Sequence, residues 1–322
     1  MADTTRTQIP AEVNNFYSRS ILETAVPALI HSRFAETIDI PANSGTDTIK
    51  FRNYAALAAQ TTALTEGVTP SGKQLSVTDI TATVLYYGDY VTLTDKVTYE
   101  TFDPILTQAA IALGNQVGDS LDQLGRDVLA AGSTLQYAST ASARTDITAA
   151  MKLTRAEVKE MVRTLQTNKA KPVTSMVNPS TGYNTTPINR AFIGIISEDT
   201  LYDLDDATGW IPVEKYSNKS DVMEDEVGSL AGVRFLMTTN AKVFAGGGAD
   251  SVDVHATLIF GRNAYAQTRI SGRTLENIVK PLGSAGTADP LDQRLTTGWK
   301  LSYVMKITNQ SNIGRIEHGV TA

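Results

Sequence analysis

Between Asp103 and Gly132 apolar residues recur at three- and four-residue spacing, at Leu106, Ala110, Leu113, Val117, Leu121, Leu124 and Val128. That period puts them on one face of a helix. Asp103-Pro104 supplies a cap followed by proline at the first helical position, and Gly132 supplies the stop. A helix over about 104–131 would be about 42 Å long at 1.5 Å per residue, well beyond the usual three turns. Gly114, Gly118 and Gly125 interrupt it, each at a cost of about 1 kcal/mol relative to alanine. Their spacing places them near one side, where a neighbouring backbone can approach closely; simple tolerance is the other reading.

The remaining elements are shorter. Tyr17, Ile21, Ala25 and Leu29 make a brief helical pattern that Pro27 cuts. Thr48 to Arg52 reads as a strand, and Ile80 to Tyr87 as a second one returning after a polar, glycine- and proline-containing stretch from Ala55 to about Asp79. A connection of that length with no core pattern of its own marks a functional loop or a segment ordered by a partner. An extended two-stranded arm follows, since an isolated hairpin is marginal in water. Thr154 and Glu157 form a capping box ahead of Val158, Met161, Val162 and Leu165. The apolar runs 192–196, 233–237 and 256–260 read as central strands, so the fold class is α+β.

The chain has 322 residues, 42% of them apolar, and no cysteine, so its stability comes from packing or assembly rather than disulfides. It lacks an apolar run long enough for a membrane span, and its start lacks a secretory pattern, which predicts cytosol-like conditions. A formal charge of −6 argues against a general nucleic-acid binder. The charge is uneven, however. Lys152, Arg155, Lys159, Arg163, Lys169 and Lys171 face only Glu157 and Glu160, a balance of +4. From Glu198 to Glu226 ten acids face Lys215 and Lys219, a balance of −8, and from Arg262 onward the balance returns to +4. Charge runs are usually solvated faces, but this asymmetry also suits head-to-tail contact between identical chains.

Catalytic chemistry is thinly represented. His31, His255 and His318 are far apart in sequence, and neither a zinc-binding His-Glu-x-x-His helix nor a Gly-x-Ser-x-Gly elbow is present. A hydrolase assembled from Ser197, Asp199 and His255 is the rival of another class, without supporting spacing. Asp203, Asp205 and Asp206 lack the spacing of a calcium loop. No catalytic, metal or cofactor site is expected.

Several strings resemble the major capsid proteins of tailed bacteriophages, in the branch related to the large-polymerase podophages. They are Leu64-Thr65-Glu66-Gly67-Val68-Thr69-Pro70, Tyr87-Gly88-Asp89-Tyr90 with Thr94-Asp95, Gly232-Val233-Arg234-Phe235, Ile259-Phe260-Gly261-Arg262-Asn263-Ala264-Tyr265, and Asp289-Pro290-Leu291-Asp292-Gln293-Arg294 leading to Gly298-Trp299-Lys300. Their order covers about Tyr17 to Glu317. The resemblance implies an N-arm (1–47), an extended E-loop (48–95), a peripheral domain with its spine helix (96–150), an axial domain (151–275) and a return to the peripheral domain (276–322). It implies a subunit of an icosahedral head, a virion component made in the host bacterial cytoplasm, forming hexamers and pentamers around double-stranded DNA. The further partners implied are a portal, a separate scaffold protein, since only about a hundred residues precede the spine helix, and a decoration protein. An encapsulin-like compartment shell is the near alternative. Within that frame Glu66 is expected to pair across a subunit boundary with Arg294, or else Arg262 or Arg273. The run from Lys152 to Lys171 is expected to lie closer to the DNA than the acidic run from Glu198 to Glu226, which is expected to face outward or a neighbouring subunit.

Overall fold

The computed structural model describes residues 29–42, 45–54, 57–100, 105–177, 185–216, 222–271 and 275–321. The short pattern around Tyr17, the Asp103-Pro104 cap and Arg273 lie outside the described residues. In chain order come β1 (Glu36–Thr37), β2 (Thr48–Tyr54), β3 (Val77–Thr83), β4 (Leu85–Thr94), α1 (Asp95–Glu100), α2 (Ile105–Ala130) and β5 (Leu135–Tyr137). Then follow α3 (Arg155–Thr167), β6 (Val173–Val177), β7 (Thr185–Ile196), α4 (Glu198–Asp205), β8 (Ile211–Pro212), β9 (Glu226–Leu230) and β10 (Val233–Met237). The chain finishes with β11 (Val243–Phe244), β12 (Val254–Phe260), β13 (Tyr265–Thr268), β14 (Leu275–Lys280), β15 (Arg294–Ile307) and β16 (Ile313–His318).

Three sheets result. In the first, β15 pairs antiparallel with β4 and β14 on its two edges and with β13 over its last residues, while β1 runs parallel to β13. The second has the order β5-β16-β12-β7-β10-β9-β8, with β11 on β12 and β6 on β7. The third is the hairpin β2–β3 alone. In β15 the alternate residues Trp299, Leu301, Tyr303, Met305 and Ile307 are buried, and they share a core with Ala110, Leu113, Val117 and Leu129 of α2. That core continues onto one face of the second sheet through Ile193, Leu258 and Phe260. The opposite face carries Phe192, Phe235 and Ile259 under α3. A sheet covered on both faces needs apolar residues at consecutive positions, which is why β7, β10 and β12 read as unbroken apolar runs.

α2 matches the expected long helix, and the capping box of α3 is formed, with Thr154 Oγ1 accepting from the Ala156 N–H. Two expectations need correction. Gly125 meets side chains rather than backbone: a Cβ there would lie 3.1 Å from Met305 Cε and 3.5 Å from His31 Cβ. The returning strand breaks at the buried Val84, so β3 pairs with β2 and β4 with β15. The sheets also bring together segments far apart in the chain. β16 lies between β5 and β12 in the second sheet, and β13 belongs to the first. Neighbours are chosen by which faces must be buried: Gly314 and Ile316 turn toward α3, Gly314 leaving room for Met161, whatever their distance along the chain.

One buried polar group joins the start of the described chain to α2. Asp122 is fully buried and accepts from the N–H of Ile30 (2.9 Å), the N–H of His31 (2.8 Å) and His31 Nδ1 (2.9 Å). Tyr265 Oη donates to the His31 carbonyl at 2.8 Å. Removing Asp122 strands two buried N–H groups, so Asp122→Ala is expected to cost about 3 kcal/mol in denaturant unfolding. Asp122→Asn, which keeps one acceptor oxygen, should cost less.

Candidate functional site

Among the described residues the outer part of the β2–β3 arm has no second layer. Residues 57–76, at its tip, form neither helix nor strand, and Leu57, Leu64, Val68 and Leu75 are 54–74% exposed. An arm with this much apolar surface in water is suited to burial against another surface. Glu66 and Gly67 make its turn, with Gly67 at φ 78° and the Val68 N–H donating to the Thr65 carbonyl at 3.1 Å. Glu66 is the sole acid from Ala55 to Ser76.

The first sheet turns one face to α2 and leaves the other open. A groove of about 650 Å³ runs across that open face, over Gly88 and Gly298 and between Tyr86, Tyr90 and Ile278. Both glycines are required by close packing. A Cβ on Gly88 would lie 2.6 Å from the Trp299 carbonyl oxygen, and one on Gly298 would lie 2.6 Å from Tyr90 Cβ. Lys280, Arg294 and Lys300 line the groove with positive charge, Lys300 Nζ standing 5.1 Å from the Tyr86 ring centre.

No family model and no curated protein matches this sequence. Solved structures do. The capsid of Ralstonia phage GP4 superposes with a TM-score of 0.70 at 14% identity, covering 91% of this chain and 90% of that one. The capsid of cyanophage P-SCSP1u gives 0.64 at 12%, covering 91% and 88%. The chain has the tailed-phage capsid fold. A virus-like particle from Pyrococcus furiosus shares it at a TM-score of 0.51 and 11% identity, covering 95% of this chain and all of that one.

Within this capsid fold the residues expected to clamp neighbours are not equivalent. Arg294 lies in the groove, where Nη2 donates to the Ala288 carbonyl at 2.8 Å and Nε stands 3.7 Å from Asp289 Oδ2, with 56% of the side chain still exposed. Arg262 follows β12 in the second sheet, its backbone held by Lys171 and Asn312 and its side chain exposed. The structure therefore separates the two arginines. Gly114, Gly118 and Gly125 all lie on the buried face of α2. Asp122 shares that face and belongs to no motif; its sequence signal is a lone acid in line with Gly118 and Gly125.

Arg155, Lys159 and Arg163 project from α3, while Lys169 and Lys171 follow it, all exposed; Lys152 is half-buried and pairs with Asp203 at 2.9 Å. Asp203 is thereby occupied, and the Thr321 N–H also donates to it at 2.9 Å. The acidic run is not a single face. Glu226 is buried against Arg234 at 2.7 Å, and Arg33 holds Asp225 at 3.0 Å. Leu204 of α4 packs in the same core as Val158 and Leu165 of α3, so both helices cover one face of the second sheet.

The structure does bring Ser197, Asp199 and His255 together. Ser197 Oγ lies 2.8 Å from His255 Nδ1, and His255 Nε2 is 3.8 Å from Asp199 Oδ2. The serine is committed elsewhere, because its Oγ caps α4 by accepting from the Thr200 N–H and sits 2.8 Å from Thr200 Oγ1. Asp199 stands beyond hydrogen-bond range of the ring, so it does not fix the imidazole as a triad requires. His255 is cross-strand to His318, their rings 6.3 Å apart. His318 Nε2 lies 2.9 Å from Thr257 Oγ1.

Burial pushes His318 down to about 4 and lowers His255 as well. The unfolded side chains take up protons near pH 6.5, before the folded ones do. Stability should therefore be full above about pH 6.5 and decline by about 3 kcal/mol as the pH falls toward about 4. Denaturant midpoints across that window should follow this fall in the wild type and show a shallower one in His318→Gln.

Proposed function

We propose that this protein is the structural subunit of an icosahedral phage head, self-assembling into hexamers and pentamers that enclose double-stranded DNA. The observation that carries the reading is an arm whose tip exposes apolar residues that no described residue covers, on a fold shared with phage capsids over nine-tenths of the chain. On this reading residues 48–95 are the extended loop and its flanking strands, α2 is the spine helix, and the second sheet with α3 and α4 is the axial domain. Portal, separate scaffold and decoration proteins are the expected further partners. The virion is the expected location, after synthesis in the host cytoplasm. The likeness to the virus-like particle supports a second reading, an encapsulin-like shell around protein cargo.

Negative-stain microscopy of the full chain tests the common part of both readings: uniform closed shells are expected, and a chain that stays monomeric at high concentration overturns them. Analysis of shells from infected cells separates the two, because a phage head holds DNA and a portal vertex whereas a compartment holds protein.

The arm supplies a specific contact. Glu66, the sole acid from Ala55 to Ser76, matches a groove lined by Arg294, Lys280 and Lys300 in another copy; Arg262 and Arg273 are the alternative arginines. A carboxylate held by arginine in a partly buried interface contributes about 1.5 to 3 kcal/mol, against under about 1 at an exposed rim. Glu66→Gln shells should unfold at lower temperature than wild type, and adding Arg294→Gln should lower it little further. Unchanged thermal stability would reject the pair.

A further inference from the structure

The two helices that share one face of the second sheet carry opposite charge at opposite ends of it. The register fixes the ends. β7 and β12 run antiparallel, with Ile195 opposite Leu258 and Ile193 opposite Phe260, so the finish of β7 and the start of β12 mark one end of the sheet. α4 begins there, capped by Ser197 beside His255. α3 also starts at this end, because the Gly319 N–H donates to the Met151 carbonyl at 2.9 Å next to His318, which pairs with His255. From there α3 runs about 20 Å toward the other end, at 1.5 Å for each of its 13 residues. At the far end β12 passes into Gly261-Arg262, and the Arg262 N–H donates to the Lys171 carbonyl at 2.8 Å.

The far end is therefore basic. Lys159 and Arg163, one turn apart on α3, join Lys169, Lys171 and Arg262, all exposed. Glu160 is the acid among them, and its Oε2 accepts from Gln136 Nε2. The near end is acidic in balance, because the exposed Glu198, Asp199, Asp205 and Asp206 outnumber the exposed Arg155 at the start of α3 while Lys152 is paired with Asp203, and it carries an aromatic. Glu198, Tyr202 and Asp205 fall at i, i+4 and i+7 on the outer stripe of α4, and Tyr202 is 71% exposed.

We infer that this layer is a head-to-tail interface: the Glu198–Tyr202–Asp205 stripe of one copy seats against the Lys159, Arg163, Lys171 and Arg262 end of the next. Two different patches of one chain that match in charge make a heterologous contact, which closes into a ring when the rotation permits. Tyr202 gives the contact an aromatic centre of the kind enriched in interfaces. Nucleic acid would account for the basic end alone and would leave the acidic stripe around Tyr202 unexplained. The inference rests on the self-assembling reading above, but it can fail by itself.

The test is charge exchange in the full chain, read by sedimentation and microscopy. Glu198→Lys with Asp205→Lys puts like charge at both ends, as does Lys159→Glu with Arg163→Glu, and each pair should cut particle yield by about tenfold or more. The chain carrying all four substitutions has the two ends exchanged and should recover most of the yield. That recovery separates a broken contact from a broken fold. Normal assembly by either single-end variant overturns the head-to-tail contact while leaving the shell reading in place. So do single-end variants that fail to assemble and are not rescued by the exchange. Basic-end variants that assemble normally but package less DNA would assign that end to the genome and also overturn it. A wild-type chain that never assembles removes both readings.

Discussion

The contact between α2 and the buried face of β15 is what the rest of the molecule depends on. One helix supplies Ala110, Leu113 and Val117 to the first sheet, and its core runs on through Leu129 to the second. A single rod thus fixes the relative position of two sheets that share no strand. Asp122 adds the start of the described chain to the same rod by satisfying two backbone N–H groups that would otherwise be buried without acceptors. Gly125 lets Met305 and His31 approach at that place, so its conformational cost is offset by packing.

With the body fixed in this way, the tip of the arm has nothing among the described residues to lie on. Its strands pair with each other and hand over to β4 at Val84, the point at which the chain enters the first sheet. Ordering some twenty tip residues costs conformational entropy at about 1 to 2 kcal/mol each, and exposed Leu64 and Val68 contribute no burial until they are covered. The ordering is therefore coupled to association: whatever covers the arm also stabilises the folded state it binds. This links the open groove, the arm and the proposed shell through one energetic requirement.

How much of this was legible in the sequence depends on how local each signal is. Seven apolar positions mark α2 between Leu106 and Val128, and its end in the structure falls within one residue of that expected. The capping box at Thr154 and Glu157 is four residues long and was equally plain. The arm was readable because a compact domain rarely holds so long a stretch without core residues. The sheet memberships of β13 and β16 were not, since they depend on partners over thirty residues away. The same holds for the groove, whose two glycines come from β4 and β15, and for the meeting of Ser197 with His255, 58 residues apart. Arg262 looked like a partner for Glu66 from charge alone; only the fold shows it beside Lys171.

That meeting of Ser197 and His255 also shows why proximity of reactive residue types is weak evidence of catalysis. A serine hydroxyl at a helix start has work as a cap, and a histidine beside it is a natural second partner for the same oxygen. Burial then disfavours the charged imidazole, which suits a cap and a buried strand pair, and the Asp199 carboxylate at 3.8 Å from Nε2 stands too far to orient the ring by a hydrogen bond. A nucleophile needs the reverse arrangement, with its oxygen free toward a cleft and its histidine fixed from behind. The structure uses these residues to join α4, β12 and β16 at one end of the second sheet, and the surface just outside that junction is where α4 presents its charges.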